Sequence, residues 1–178
     1  VRLVGSEMCI RDRPKRAPGP WKLDPYGKNN DYQALRKLLA NKTKDNMVQA
    51  FENTTKKLED AGLRGMGGAG FPAGLKWKIV REATGFPKYV ICNADESEPG
   101  TFKDRVILES LSHLLVEGMI IAGLVIGSEK GIIYLRHEYD HVLETLERVL
   151  DDARSECLLG TNILGTGLSV SYTHLRAH

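Results

Sequence analysis

Residues Tyr89–Gly100 read Y-V-I-C-N-A-D-E-S-E-P-G. The first five, Tyr89–Asn93, are largely apolar and run without a break into a loop carrying Asp95, Glu96 and Glu98. A short apolar, β-branched run that ends in turn residues is the pattern of a buried strand. Downstream, His113–Ile126 is dominated by Leu114, Leu115, Met119, Ile120 and Ile121, and reads as a core helix that tolerates Glu117 and Gly118. Gly131–Arg136 (G-I-I-Y-L-R) reads as a second buried strand. Tyr139–Ala153 is the clearest amphipathic helix, with Tyr139, Val142, Leu143, Leu146, Val149 and Leu150 recurring at i, i+3 and i+4. Strand–helix–strand–helix order calls for parallel strands joined by right-handed crossovers. The expected fold class is therefore α/β, a parallel sheet with flanking helices. The acidic loop then lies at the carboxyl end of the first strand, where ligands bind in open α/β sheets.

Upstream, Asp31–Ala40 reads as a short helix with Tyr32, Leu35, Leu38 and Leu39 on one face. Asp45 is placed to cap a second helix, whose apolar stripe runs Met47, Val48, Phe51, Leu58 and Ala61. Gly62 stands where a helix C′ glycine belongs. It opens the run Gly62–Gly74, G-L-R-G-M-G-G-A-G-F-P-A-G, which packs six glycines into thirteen residues when the whole chain has 18. Glycine loses more entropy than other residues on ordering, so such a cluster needs a reason: positive φ, or backbone that meets a ligand with no side chain between. Gly65, Gly67, Gly68 and Gly70 fall in a formal G-x-G-x-x-G. The dinucleotide fingerprint needs a strand before it and here a helix precedes; a Walker A loop needs Gly-Lys-Ser/Thr, which is absent. Consecutive glycine amides can still form a concavity for an anion or a flat ring. The alternative is a flexible surface loop, against which Arg64, Phe71 and Pro72 argue. Leu75–Arg81 reads as a further helical turn or two, and its Lys76 suits either a phosphate or a solvated surface. In the acidic loop, Asp95, Glu96 and Glu98 could accept hydrogen bonds from ribose or ribityl hydroxyls, hold Mg²⁺, or form a solvated charge run. Their place at a strand end favours a ligand. Asn93 adds an amide able to recognise a flavin or nicotinamide edge. Glycine amides, a cation and these carboxylates together suggest a nucleotide site.

A chain of 178 residues with 42% hydrophobic content is one domain, or one domain with tails. Of the formal charge of +2, Val1–Arg13 holds +1 and Val170–His178 the other +1, leaving Pro14–Ser169 neutral. The charge is thus no argument for nucleic-acid binding. Neither end continues the neighbouring periodicity. Both resemble translated sequencing-adapter read-through and are set aside, which makes residues 14–169 the expected domain, cut from something longer. Pro14–Gly27, rich in Pro and Gly, reads as an irregular entry segment. With Cys9 in the first tail, Cys92 and Cys157 remain, not in a C-x-x-C pair; no zinc or iron–sulfur site can be built from them, and a reducing compartment is expected. The apolar run Leu114–Ile126 is too short to span a bilayer. Lys103-Asp104-Arg105 reads as a locally paired structural cluster, and His113, His137 and His141 as structural histidines.

The strings G-L-R-G-M-G-G-A-G-F-P-A-G-L-K-W (Gly62–Trp77) and I-C-N-A-D-E-S-E-P-G-T-F-K-D-R (Ile91–Arg105) closely resemble the NADH-binding flavoprotein subunit of respiratory complex I. The same module occurs in diaphorase subunits of NAD-reducing hydrogenases and NAD-dependent formate dehydrogenases. His113–Gly123 and Leu159–Gly165 share the likeness, which extends over about Tyr32 to Gly167. The resemblance implies a Rossmann-like unit that binds FMN and stacks NADH on it. By resemblance, the Gly65, Gly67, Gly68 and Gly70 backbone lies against flavin and dinucleotide, and Phe71 stacks on the adenine. Lys76, Asn93, Asp95 and Ser97 look like FMN contacts, while Glu96 and Glu98 stand where the family's acidic residues face flavin and NADH ribose. Met66 replaces an arginine common in complex I members and also occurs in formate-dehydrogenase relatives. Ile79 stands where some members have an aromatic near the adenine, and it is left out of the site.

The implied activity is that of an NADH dehydrogenase flavoprotein. Its parent takes a hydride from NADH onto FMN, with no protein acid or base, and passes electrons to an iron–sulfur cluster in the part not present here. The alternatives are a hydrogenase or formate dehydrogenase diaphorase subunit, a non-enzymatic nucleotide-binding assembly module and, more weakly, an Mg²⁺-dependent phosphate enzyme. Glu96 and Glu98 are expected to disfavour the 2′-phosphate of NADPH. Expected partners are NADH and other subunits of a multi-subunit redox complex, without nucleic acid or direct membrane insertion, in the cytoplasm or at the inner face of the cell membrane.

Overall fold

The computed structural model describes residues 32–40, 44–66 and 68–176. The two readings on Val1–Arg13 and Pro14–Gly27, and that on Gly67, lie outside the described residues. In chain order the elements are α1 (Gln33–Leu39), α2 (Lys44–Asp60), α3 (Ala73–Glu82), β1 (Tyr89–Ala94), α4 (Lys103–Ser110), α5 (Ser112–Ile126), β2 (Lys130–Leu135), α6 (Asp140–Ser155) and β3 (Ser171–Arg176). Short 3₁₀ turns, His137–Tyr139 and Ile163–Gly165, precede and follow α6.

The sheet has the order β1-β2-β3, parallel throughout, with Tyr89 beside Lys130 and Lys130 beside Ser171. This is the parallel α/β arrangement expected. α5 is its hub and packs on β1, β2 and each of the other helices. Val116, Ile120 and Val125 of α5 are sealed from water beside Ile133, Leu146, Val149 and Ile163. α5 is a buried core helix, and no single helix among the described residues is long and apolar enough to cross a membrane.

Three features differ from expectation. Periodicity predicts neither α4 nor an element beyond Ser169, yet β3 extends the sheet and seats Tyr172 in the core, its ring against Gly131. A six-residue strand offers too few alternations to stand out. The strands are also not buried on both faces. In β1 the side chains of Tyr89, Ile91 and Asn93 are exposed, whereas Ala94 is buried. In β2, Gly131, Ile133 and Leu135 are buried while Lys130 and Tyr134 are exposed. A continuous apolar run cannot say whether one face or two is covered; here the helices cover one. Finally, α2 begins at Lys44, so Asp45 lies inside it, and Val48 of the expected stripe is exposed while Ala50 and Thr55 are buried.

Candidate functional site

The five described glycines of Gly62–Gly74 divide by task. Gly62, at φ +62°, closes α2 with the paired bonds of a Schellman motif: its N–H donates to the Glu59 carbonyl (2.9 Å), and the Leu63 N–H to Leu58 (3.1 Å). Gly74 allows α3 to press on α2, because a Cβ there would stand 2.7 Å from the Thr55 carbonyl oxygen and 3.0 Å from the Glu59 nitrogen. Between them the loop is tied at its neck. Arg64 bridges Pro72 in antiparallel fashion, the Gly65 N–H donates to the Phe71 carbonyl (2.9 Å), and the Arg64 guanidinium donates to the Gly70 carbonyl (3.0 Å). The neck answers the flexible-linker alternative. Beyond it, Gly68 and Gly70 sit at φ +93° and +59°, with open space where a Cβ would be. No described residue accepts a hydrogen bond from the N–H of Gly68, Ala69, Gly70 or Phe71. The loop thus offers amides and an open surface, with Phe71 about half exposed. Lys76 lies exposed in the first turn of α3, with no ion pair among the described residues.

The second loop leaves the carboxyl end of β1. The Asn93 side-chain oxygen accepts from the Asp95 N–H (3.1 Å), an Asx turn, and the Ser97 hydroxyl donates to Asp95 (2.7 Å). Thr101 closes the loop, donating through its N–H (3.2 Å) and hydroxyl (2.6 Å) to the Glu98 carbonyl. The Asn93 amide nitrogen and the Glu98 carboxylate have no partner among the described residues.

Glu96 is placed otherwise. Its side chain is buried, and its carboxylate accepts from the N–H groups of Asp104 (3.1 Å) and Arg105 (3.2 Å) in the first turn of α4 and from the Tyr139 hydroxyl (3.0 Å). Lys103 stands 3.6 Å away and pairs more closely with Asp104 (3.0 Å), the local pairing expected of that cluster. α4 has no side-chain cap of its own, and a helix start leaves its first N–H groups unpaired; Glu96 supplies the acceptor from another segment, with the charge that the helix dipole favours there. Burial pushes the Glu96 carboxyl up, but the two backbone donors, Tyr139 and Lys103 together hold it below the usual carboxylate range. The Glu96 carboxylate thus bonds to three donors of its own chain.

Arg136, at the end of β2, clasps the same loop. Its guanidinium donates to the Glu96 carbonyl (2.6 Å) and grips Glu138 through two bonds of 2.9 Å, and its N–H donates to the Ala94 carbonyl (3.3 Å). Sequence reasoning misses Arg136 and Tyr139, which read as a strand end and a helix face. Strand alternation does carry a signal for Glu96. Val90, Cys92, Ala94 and Glu96 share the covered side, whereas Tyr89, Ile91 and Asn93 face out. Among the described residues no hydrogen bond joins the glycine loop to the acidic loop, and no group of three or more His, Cys, Asp or Glu could hold a metal ion. Cys92 is half-buried, its thiol pushed up to about 11 by burial first and by the charge of Asp104 second, so it is no nucleophile at neutral pH. His113 meets the Tyr32 hydroxyl (3.1 Å) in the core, and His141 pairs with Glu109 (2.9 Å), structural settings as expected.

A parallel sheet with a polar loop at the carboxyl end of its first strand defines an α/β protein of the class that takes ligands at strand ends. The chain belongs to the family described as the Nuo51 FMN-binding domain, whose model matches residues 58–173 and so takes in both loops. It is 45% identical over 169 residues to an NADH-quinone oxidoreductase subunit of Aquifex aeolicus, covering 94% of this chain and 38% of that protein. It is 52% identical over 114 residues to the alpha subunit of the NAD-reducing hydrogenase HoxS of Cupriavidus necator, covering 64% of this chain and 19% of that one. A crystal structure of an air-oxidized NAD⁺-reducing [NiFe]-hydrogenase superposes with a TM-score of 0.59 at 40% identity, over 73% of this chain and 20% of the other. The chain therefore spans well under half the length of these relatives.

Proposed function

We propose that the chain forms part of the FMN- and NADH-binding domain of an NADH-oxidising flavoprotein. The observation that carries the reading is the family match over 58–173, which includes both the amide-bearing glycine loop and the Asn93–Glu98 loop at the strand end. The donor set suits FMN. Unpaired amides and Lys76 suit its phosphate, the Asn93 amide nitrogen suits a ring carbonyl, and Asp95, Ser97 and Glu98 suit hydroxyls. When bound, FMN would accept a hydride from NADH, chemistry that belongs to the cofactor. The chain would hold and orient the two rings, with Phe71 offering an exposed face to the adenine. Glu98, uncommitted in the structure, is the carboxylate left to disfavour the 2′-phosphate of NADPH; Glu96 is not.

A subunit of a quinone oxidoreductase and one of a hydrogenase are both relatives of this chain. The reading therefore stands at what these have in common: transfer from flavin to an iron–sulfur cluster in the wider protein, within a multi-subunit complex peripheral to the membrane. Titration of the chain with FMN, followed by flavin fluorescence, tests the cofactor half. Saturable quenching is expected, weakened about tenfold by Lys76→Ala through loss of one charge-assisted contact. No saturable binding, either here or in a version extended to its relatives' length, would refute it. In that longer protein, an unchanged preference for NADH over NADPH after Glu98→Gln would remove Glu98 from its role.

A further inference from the structure

We propose that Glu96, Tyr139 and Arg136 form a positioning latch that sets the shape in which the Asn93–Glu98 loop meets its ligand, without touching that ligand. The inference rests on the FMN reading above and deepens it. Three segments meet at Glu96: its own loop, the nearby start of α4, and the turn after β2 some forty residues on. Its carboxylate holds the first turn of α4 through the Asp104 and Arg105 N–H groups, and it holds the 3₁₀ turn after β2 through the Tyr139 hydroxyl. Its carbonyl is held by Arg136, which in turn is fixed by Glu138 and lies over the Tyr139 ring at 5.8 Å. Asp95 and Ser97, on either side of Glu96, are bonded to each other, and Asp95 to Asn93. The loop that offers polar groups to a ligand is thus anchored at its middle residue, and that anchor faces inward. A charged acceptor with several donors in a mostly water-excluded place is geometrically demanding, since each bond is strong only near one arrangement. Loosening the anchor should let α4 and the loop part from the sheet end.

Tyr139→Phe removes one oxygen atom and nothing else, Glu96→Ala removes the whole acceptor, and Glu96→Gln restores an acceptor oxygen without the charge. Two readouts are needed. Hydrogen exchange at the Asp104 and Arg105 amides reads the latch directly, with no ligand present; exchange in Glu96→Ala is expected to quicken at least about tenfold, with Glu96→Gln in between. FMN affinity of the same proteins reads positioning; Tyr139→Phe is expected to weaken it about tenfold. Val142→Ala, on the buried face of α6, is the control for general destabilisation and leaves FMN affinity unchanged. Slow exchange at both amides in Glu96→Ala overturns the latch. Fast exchange with undiminished FMN affinity overturns its positioning role, as does an equal loss in Val142→Ala. If the wild-type chain binds no FMN, the functional reading and the positioning role fail together, and exchange at Asp104 and Arg105 still decides whether the latch exists.

Discussion

At the scale of the residue, two carboxylates separated by one serine part company. Glu98 is exposed and uncommitted, whereas Glu96 is buried under four stabilising partners. Alternation accounts for Glu96, which continues the side already occupied by Val90, Cys92 and Ala94; Glu98 has the same parity, but it lies beyond the strand in the turn that Thr101 closes, where alternation no longer holds. A carboxyl whose folded value lies below its unfolded one contributes stability that is fully present above the unfolded value and is lost as pH falls through the folded one. Glu96 is of this kind. The thermal midpoint of the native chain should therefore exceed that of Glu96→Gln at pH 7, and the gap should shrink as pH falls from about 4.5. Melting both proteins from pH 7 to pH 3 checks this; a gap that widens in acid would contradict the assignment. Glu117, buried in α5, also meets a helix start from another segment: it accepts the Leu35 N–H (3.0 Å) at the start of α1. Neither α1 nor α4 carries a side-chain cap of its own.

At the scale of the element, the glycine cluster resolves into a helix stop, an open loop and a helix contact. Glycine content alone made all six look alike. Gly62 was legible as a C′ residue because the end of the amphipathic stripe locates it. Gly74 was not, because its requirement comes from α2, whose closeness no local pattern records. Alanine is the better helix former by about 1 kcal/mol, so in an isolated helix Gly74→Ala would stabilise. Here the new methyl group meets backbone of α2 that cannot yield without parting the helices. A net loss of about 1–3 kcal/mol is expected from the urea midpoint. A gain would show that α2 and α3 are further apart than described.

At the scale of the whole molecule, one layer of helices among the described residues lies on one face of a three-stranded parallel sheet. The covered face is sealed: Ile133, Leu146 and Val149 are at 0% exposure, whereas Ile91 on the other face is at 64%. Leu146→Ala should then cost about 2–5 kcal/mol by the transfer and cavity terms. Ile91→Thr, which keeps the branched β-carbon, should cost less than about 0.5 kcal/mol. Urea unfolding of both proteins checks this, and a comparable loss in the two would mean that the open face is covered in solution.

The sequence by itself determined the helices and strands of the central chain other than α4, their order and hence the parallel sense of the sheet. It also located the two loops that carry the polar groups. These follow from periodicity and glycine placement, which act over a few residues. Only the tertiary structure decided which sheet face is covered, that Ser171–Arg176 joins the sheet, that Gly74 serves packing and that Glu96 is an anchor. Each of these depends on a neighbour far along the chain: Glu96 and Tyr139 are 43 residues apart. Such contacts are settled when the elements pack, because burial and hydrogen-bond partners are properties of that packing and leave no mark within one helical turn or one strand.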